Sequence, residues 1–204
     1  MPGIRFSCSQ QFIAVRSGRE IYAVPQDLKR KLDYSDLLAA PDDGKRYELL
    51  RGDLFVTPSP SPAHQRISRR LQRQLEDFFH DRSIGEVFDA PIDLILTNQD
   101  VLVPDLLVVT QRQHITKRGI EGPPLVVVEI LSPSTQRQDR GTKARRYAEL
   151  GVEHYWIVDP VKKRFECHRL AGDAFRLLID AEGKTELAHP DWNGLVIDLT
   201  ALWR

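Results

Sequence analysis

The chain predicts a mixed central β-sheet flanked by helices, an α/β or α+β layer fold. Three observations carry that prediction. Short runs rich in Val, Ile and Leu recur between turn residues, notably at 87–90, 92–97, 101–110 and 125–131. Two segments, 61–81 and 139–150, instead space their apolar residues for a helix. Leu125-Val-Val-Val-Glu-Ile-Leu131 is apolar almost throughout, as expected of a central strand covered on both faces.

Taken in order, residues 1–30 read as an appendage, with Ile21-Tyr-Ala-Val24 able to form a short strand, and residues 31–204 as the domain. A short helix is expected over 35–40, capped by Ser35 and stopped by Pro41. Arg46-Tyr-Glu-Leu-Leu50 and Asp53-Leu-Phe-Val-Thr57 flank Arg51-Gly52, which reads as a tight hairpin. Ser61 and Pro62 suit the cap and first turn of a second helix. Its apolar stripe is Ile67, Leu71, Leu75, Phe78 and Phe79, and its other side carries Arg66, Arg69, Arg70 and Arg73. That basic side is either a solvated face or a surface that tracks phosphates.

The run 101–110 is expected as one strand, preceded by a turn at Asn98-Gln99-Asp100 and distorted at Pro104. Residues 111–124 form a polar loop. After the central strand comes a helix from about Asp139 to Leu150, with Gly151 placed to end it. Three short strands follow in a meander (155–158, 164–169 and 174–179), and the tail 194–203 is a strand running into a helical turn.

Bulk properties narrow the class only a little. The 29 Lys and Arg balance 29 Asp and Glu, so overall charge argues neither for nor against a polyanionic partner. Cys8 and Cys167 match no metal-ligand spacing and do not suggest a disulfide framework, which favours a reducing cytoplasm. No apolar stretch approaches the ~20 residues of a membrane span, and no signal-peptide pattern opens the chain.

The chemistry centres on two carboxylates inside apolar runs, Asp105 and Glu129. A buried carboxylate must pair or neutralise, so two in neighbouring strands suggest a shared cation. Mg²⁺, with Mn²⁺ as a substitute, prefers such oxygen donors, and the Ile130 carbonyl completes one side of the expected metal site. Lys143, on the following helix, would orient water or stabilise charge developing on phosphorus. Glu48, a further candidate, faces either out or into a cleft. His64 reads better as a capping or surface residue. Glycine-rich phosphate loops, His-Glu-x-x-His and Gly-x-Ser-x-Gly are absent from the sequence.

The pattern resembles a known family. Val103-Pro-Asp-Leu106 followed by Val128-Glu-Ile-Leu-Ser-Pro-Ser-Thr135 is similar to the PD-(D/E)xK nuclease signature, and more specifically to the Uma family of restriction-endonuclease-like proteins. The segments 42–50, 58–65, 139–143 and 147–160 extend the likeness over about 34–203. The resemblance implies a restriction-endonuclease-like core, a Mg²⁺ site on Asp105 and Glu129, Glu48 nearby, and a homodimer acting on DNA. One departure stands out: Leu131 occupies the signature lysine position, and Lys143 matches the lysine that Uma-type proteins supply from the next helix. Arg137, Arg140, Arg145 and Arg146 are the expected phosphate contacts. The competing reading is a non-catalytic nucleic-acid-binding or oligomerising module in which Asp105, Glu129 and Lys143 are a buried ion-pair network.

Overall fold

The computed structural model describes residues 30–41 and 43–204, together with the backbone of two strands, β1 (Phe12–Ser17) and β2 (Glu20–Pro25), which pair antiparallel. The expected strand at Ile21–Val24 lies within β2. Cys8 lies outside the described residues.

Helix α1 (Tyr34–Leu38) begins slightly earlier than expected, because Asp33 and not Ser35 is the cap. Asp33 accepts from the Ser35 and Asp36 amides while the Asp36 carboxylate accepts from the Asp33 amide, a reciprocal box that satisfies free helix-start donors. Strands β3 (Arg46–Leu50) and β4 (Asp53–Thr57) form the expected hairpin. Arg51 and Gly52 both adopt positive φ, 53° and 73°, as a twisted two-residue hairpin turn requires. Helix α2 (Pro62–Leu75) starts at Ser61, whose hydroxyl accepts from the His64 amide. It continues through a π-helical turn, Glu76–His80, and buries the whole predicted stripe from Ile67 to Phe79.

Next come β5 (Glu86–Asp89), β6 (Leu94–Thr97), β7 (Asp100–Leu102) and β8 (Leu106–Val109). Here the single strand expected over 101–110 is corrected. It is two strands that belong to different sheets, β7 pairing with β3 and β6, and β8 with β5 and the central strand. Pro104 offers no amide to a ladder, so the chain leaves one sheet at Val103 and enters the other at Leu106. The loop 111–124 holds the two-residue strand β9 (Ile120–Glu121).

The central strand is β10 (Val126–Ile130), every residue of it buried. A helical segment follows: α3 (Gln136–Gln138), a π-helical turn (Asp139–Lys143) and α4 (Ala144–Glu149). Gly151, at φ 83°, stands just beyond it. The meander is β11 (His154–Asp159), β12 (Arg164–Ala171) and β13 (Ala174–Glu182), each longer than expected. Strands β14 (Glu186–Ala188) and β15 (Val196–Asp198) lead into α5 (Leu199–Leu202).

The large sheet has the order β13-β12-β11-β10-β8-β5, and the smaller one β4-β3-β7-β6-β9. Both are mixed. In the large sheet β10 and β11 run parallel, so the chain between them must cross over, and the helical segment 136–149 is that crossover. Alternation on β10 sends Val126, Val128 and Ile130 towards α2 and α5, in one apolar cluster with Trp156 and Phe79. Val127 and Leu131 face the other way, into a cluster with Leu50, Leu102, Tyr147 and Tyr155. Glu129 shares that second face, so the crossover helix and the smaller sheet enclose it.

Candidate active site

Three strands and two helical segments meet at a cleft of about 360 Å³ lined by Glu48, His64, Asp105, Glu129, Asp139 and Lys143, among others. The crossover explains how Lys143 arrives. A helix that leaves the end of β10 and packs back on the same face must pass over Glu129. Lys143 Nζ donates to Glu129 Oε1 and to Glu48 Oε1, each at 3.1 Å, and stands 3.8 Å from Asp139 Oδ1. The Tyr147 hydroxyl adds a second donor to Glu129 Oε1 at 3.1 Å. Arg146, an expected phosphate contact, instead turns to Asp100 with two bonds of 2.9 and 2.7 Å.

Glu48 is buried and fully engaged. Its Oε1 also accepts from the Val103 amide at 2.8 Å, and its Oε2 from the Thr57 hydroxyl at 2.7 Å. The solvent-facing alternative for Glu48 is therefore ruled out. Asp105 lies at the sheet switch, where its Oδ2 accepts from the Ile130 amide at 2.8 Å. His64 reaches the same place from the first turn of α2. Its Nε2 lies 3.1 Å from Asp105 Oδ2 and 3.1 Å from the Ile130 carbonyl oxygen. The capping-or-surface expectation for His64 is corrected, since its imidazole points into the cleft.

Electrostatics sort these acids. Burial pushes Glu48 upward, but Lys143, the Val103 amide and the Thr57 hydroxyl outweigh it and leave Glu48 below its usual value. Burial raises Glu129 well above a normal glutamate; Lys143 opposes this, while Asp139, Asp105 and Glu48 reinforce it. Burial likewise raises Asp139, against the pull of Lys143. Lys143 would lose its proton to burial alone, yet Glu129, Glu48 and Asp139 hold its ammonium above the ordinary lysine value. For His64, burial is outweighed by the Asp105 carboxylate and the Ile130 carbonyl, so its imidazolium is favoured.

Four buried carboxylates thus face one buried lysine. Asp139 Oδ1 is buried with no hydrogen-bond partner among the described residues. That donor set fits a hard divalent cation, because its anionic oxygens outnumber the Lys143 ammonium and the His64 imidazolium. Among the described residues, no three His, Cys, Asp or Glu side chains form a ready-made cage.

Of the four predicted phosphate-binding arginines, Arg137 and Arg145 are exposed. Arg140 forms a bidentate pair with Glu166, at 2.8 and 2.9 Å, and Arg146 is held by Asp100 and Glu149. A second hollow, of about 640 Å³, opens beside His64 and Asp105 and carries Arg46, Arg66 and Arg69. Residues 33–200 match the Uma2 family, described as "Putative restriction endonuclease".

The chain belongs to the Uma2 family.

A curated relative, "Uncharacterized protein slr1290" of Synechocystis sp., is 27% identical over 146 residues, covering 70% of this Uma2 chain and 76% of the relative. A crystal structure from Anabaena variabilis ATCC 29413, described as a "putative nuclease belonging to DUF820", superposes with a TM-score of 0.68 at 17% identity, covering 84% of this chain and 97% of that one. At that identity the likeness establishes the fold, which is nuclease-like. No helix among the described residues of this Uma2 protein is long and apolar enough to cross a membrane.

Proposed function

We propose that this protein is a metal-dependent endonuclease that hydrolyses phosphodiester bonds, in DNA, within the cytoplasm. The observation that carries the reading is the buried excess of carboxylate over lysine in a cleft open to substrate. Family membership supports the same chemistry. Asp105, Glu129 and the Ile130 carbonyl would hold Mg²⁺ or Mn²⁺. When bound, such an ion supplies Lewis acidity towards a phosphoryl oxygen and lowers the pKa of water.

The chain's own residues do the rest. Lys143 keeps its proton and places an ammonium beside Glu129, where it orients water and stabilises charge developing on the phosphate. Glu48 positions that ammonium from the opposite side. Tyr147 fixes the Glu129 carboxylate. Arg46, Arg66 and Arg69 in the adjoining hollow would bind the substrate backbone, with Arg137 and Arg145 as further exposed contacts. Arg140 and Arg146, tied to acids, would act on phosphate only by leaving those pairs. Residues 31–204 form the nuclease domain in this reading, residues 1–30 its appendage, and the working unit is a homodimer.

The test is nicking of supercoiled plasmid by purified protein with Mg²⁺ or Mn²⁺, beside Asp105→Asn and Lys143→Ala. Metal-dependent nicking lost in both variants is expected. Cleavage that survives both substitutions, or a folded wild type inert on plasmid, single-stranded DNA and RNA alike, would overturn the proposal.

A further inference from the structure

The His64 imidazole occupies the space between two of the proposed metal-binding oxygens. Its Nε2 is 3.1 Å from Asp105 Oδ2 and 3.1 Å from the Ile130 carbonyl oxygen. Both atoms are acceptors and share the Nε2–H, so ligation of an ion at Nε2 would release that proton to solvent. The same spacing suits a different use. An octahedral ion with bonds of about 2.1 Å sets neighbouring donors about 3.0 Å apart. Two edges of that length, meeting at Nε2, outline one corner of a coordination shell.

The imidazole is also held for the purpose. Its side chain is 14% exposed and that of Asp105 10%. The residue sits in the first turn of α2, whose start is fixed by the Ser61 hydroxyl and by Pro62. The apolar stripe of α2 packs on the Ile130 face of the sheet, which holds the helix start beside the strand end. Nothing in the proposed hydrolytic machinery uses this ring.

We propose that His64 is a direct protein ligand of the catalytic ion, completing with Asp105 and the Ile130 carbonyl a mixed nitrogen–oxygen corner that favours a transition ion such as Mn²⁺ over Mg²⁺. The inference rests on the metal-dependent reading of the cleft. Mg²⁺ keeps to oxygen donors and water, whereas an imidazole nitrogen strengthens binding of later divalent ions.

The test uses Mn²⁺ and the full chain. Pulsed electron paramagnetic resonance of the Mn²⁺-loaded wild type is expected to show nitrogen modulation, which changes to the ¹⁵N pattern when the protein is grown on ¹⁵N-labelled histidine. That arm requires no mutation and so no folding control. His64→Gln, which keeps a hydrogen-bond donor but is a poor ligand, should lose the modulation. Its Mn²⁺ affinity by titration calorimetry should fall by at least the ~10-fold that even an outer-shell partner costs, with Mg²⁺ affinity less affected. Mn²⁺ binding that Asp105→Asn abolishes, but that shows no histidine nitrogen in the wild type, would overturn the His64 assignment and leave the metal site standing. A wild type that binds no Mn²⁺ would overturn both.

Discussion

Replacing Lys143 by methionine keeps an unbranched side chain one atom shorter and removes its charge, which makes it the sharpest test of how the cleft is balanced. At 3.1 Å and an effective dielectric of about 20, each pairing with Glu48 and Glu129 amounts to about 5 kcal/mol of attraction before desolvation. The net loss is smaller because an orphaned acid can take up a proton. Glu48 is the acid that Lys143 keeps low, and its ordinary value is 4.5. Keeping it neutral at pH 7 costs about 3 kcal/mol, which caps the penalty. The sign follows. In the variant the folded-state value of Glu48 lies above the unfolded one, so stability is retained near pH 4.5 and lost as pH rises. The gap to wild type should widen by about 1.4 kcal/mol per pH unit, from under ~1 kcal/mol at pH 5 to about 3 at pH 7. Urea unfolding in EDTA at both pH values measures it. Adding Glu48→Gln to Lys143→Met should recover most of the loss. A gap that is the same at both pH values, or a double variant no more stable than the single, would refute the assignment of Glu48 as the orphaned acid.

Three other outcomes follow from the same structure. His154 and His189 are buried, with values pushed down to about 4, by burial first and, for His154, also by its neighbour His189. Between pH 6.5 and 4 the unfolded chain takes up protons that the folded one refuses. Each histidine should therefore cost up to about 3 kcal/mol as pH falls, and His189→Phe should flatten that part of a urea-midpoint profile; an unchanged slope would count against it. Asp100 is wholly buried and accepts from Arg146, Thr97 and the Arg51 amide. Asp100→Ala should lower unfolding free energy by about 3–5 kcal/mol, with Asp100→Asn less damaging, read by denaturant titration. On a cleavage-dead Asp105→Asn background, Arg66→Ala with Arg69→Ala should weaken duplex DNA binding and reduce the salt slope by about 1–2 in fluorescence anisotropy, whereas Arg140→Ala should change little. Equal effects would mean that Arg140 leaves Glu166 to meet phosphate.

What could be read from the chain alone depended on whether a residue announced itself locally. Asp105 and Glu129 did, because each interrupts an apolar run, and burial of both followed from their neighbours. Ser61, Pro62 and the stripe from Ile67 fixed α2 for the same reason. Lys143 was legible through the crossover, since a helix after a central strand returns over that strand. Glu48 was only half legible: alternation separates two faces but does not say which one meets a second sheet. The division of 101–110 between two sheets was signalled by Pro104 as distortion, not as a change of sheet. His64 and Asp139 carried weaker signals. Asp139 and Lys143 have the four-residue spacing of an ordinary surface pair, and the contact of His64 with Ile130 spans 66 positions. Such meetings are set by tertiary packing, which periodicity does not encode.

Comparison of the cleft with a buried acid elsewhere in this chain bears on the proposed metal site. At Asp100 the chain balances buried charge completely. One carboxylate meets one guanidinium through two bonds, and the Thr97 hydroxyl and Arg51 amide supply the remaining donors. Burial there is outweighed by these partners, and Asp100 stays below its usual value. The same fold therefore has the means to neutralise an acid where stability is the only demand. In the cleft it does otherwise. Glu48, Glu129 and Asp139 draw on one lysine while Asp105 meets His64, Glu129 is left well above its usual value, and a buried oxygen of Asp139 has no hydrogen-bond partner among the described residues. In a purely structural network, Glu129 and Asp139, whose burial is not offset by their partners, would be better served as amides. Their coexistence is accounted for when a divalent ion supplies the missing charge, and Leu131 shows why the lysine came by another route. That position is packed into the apolar cluster with Tyr147 and Tyr155, so the ammonium reaches Glu129 from the crossover helix, where Glu48 can hold it from the other side.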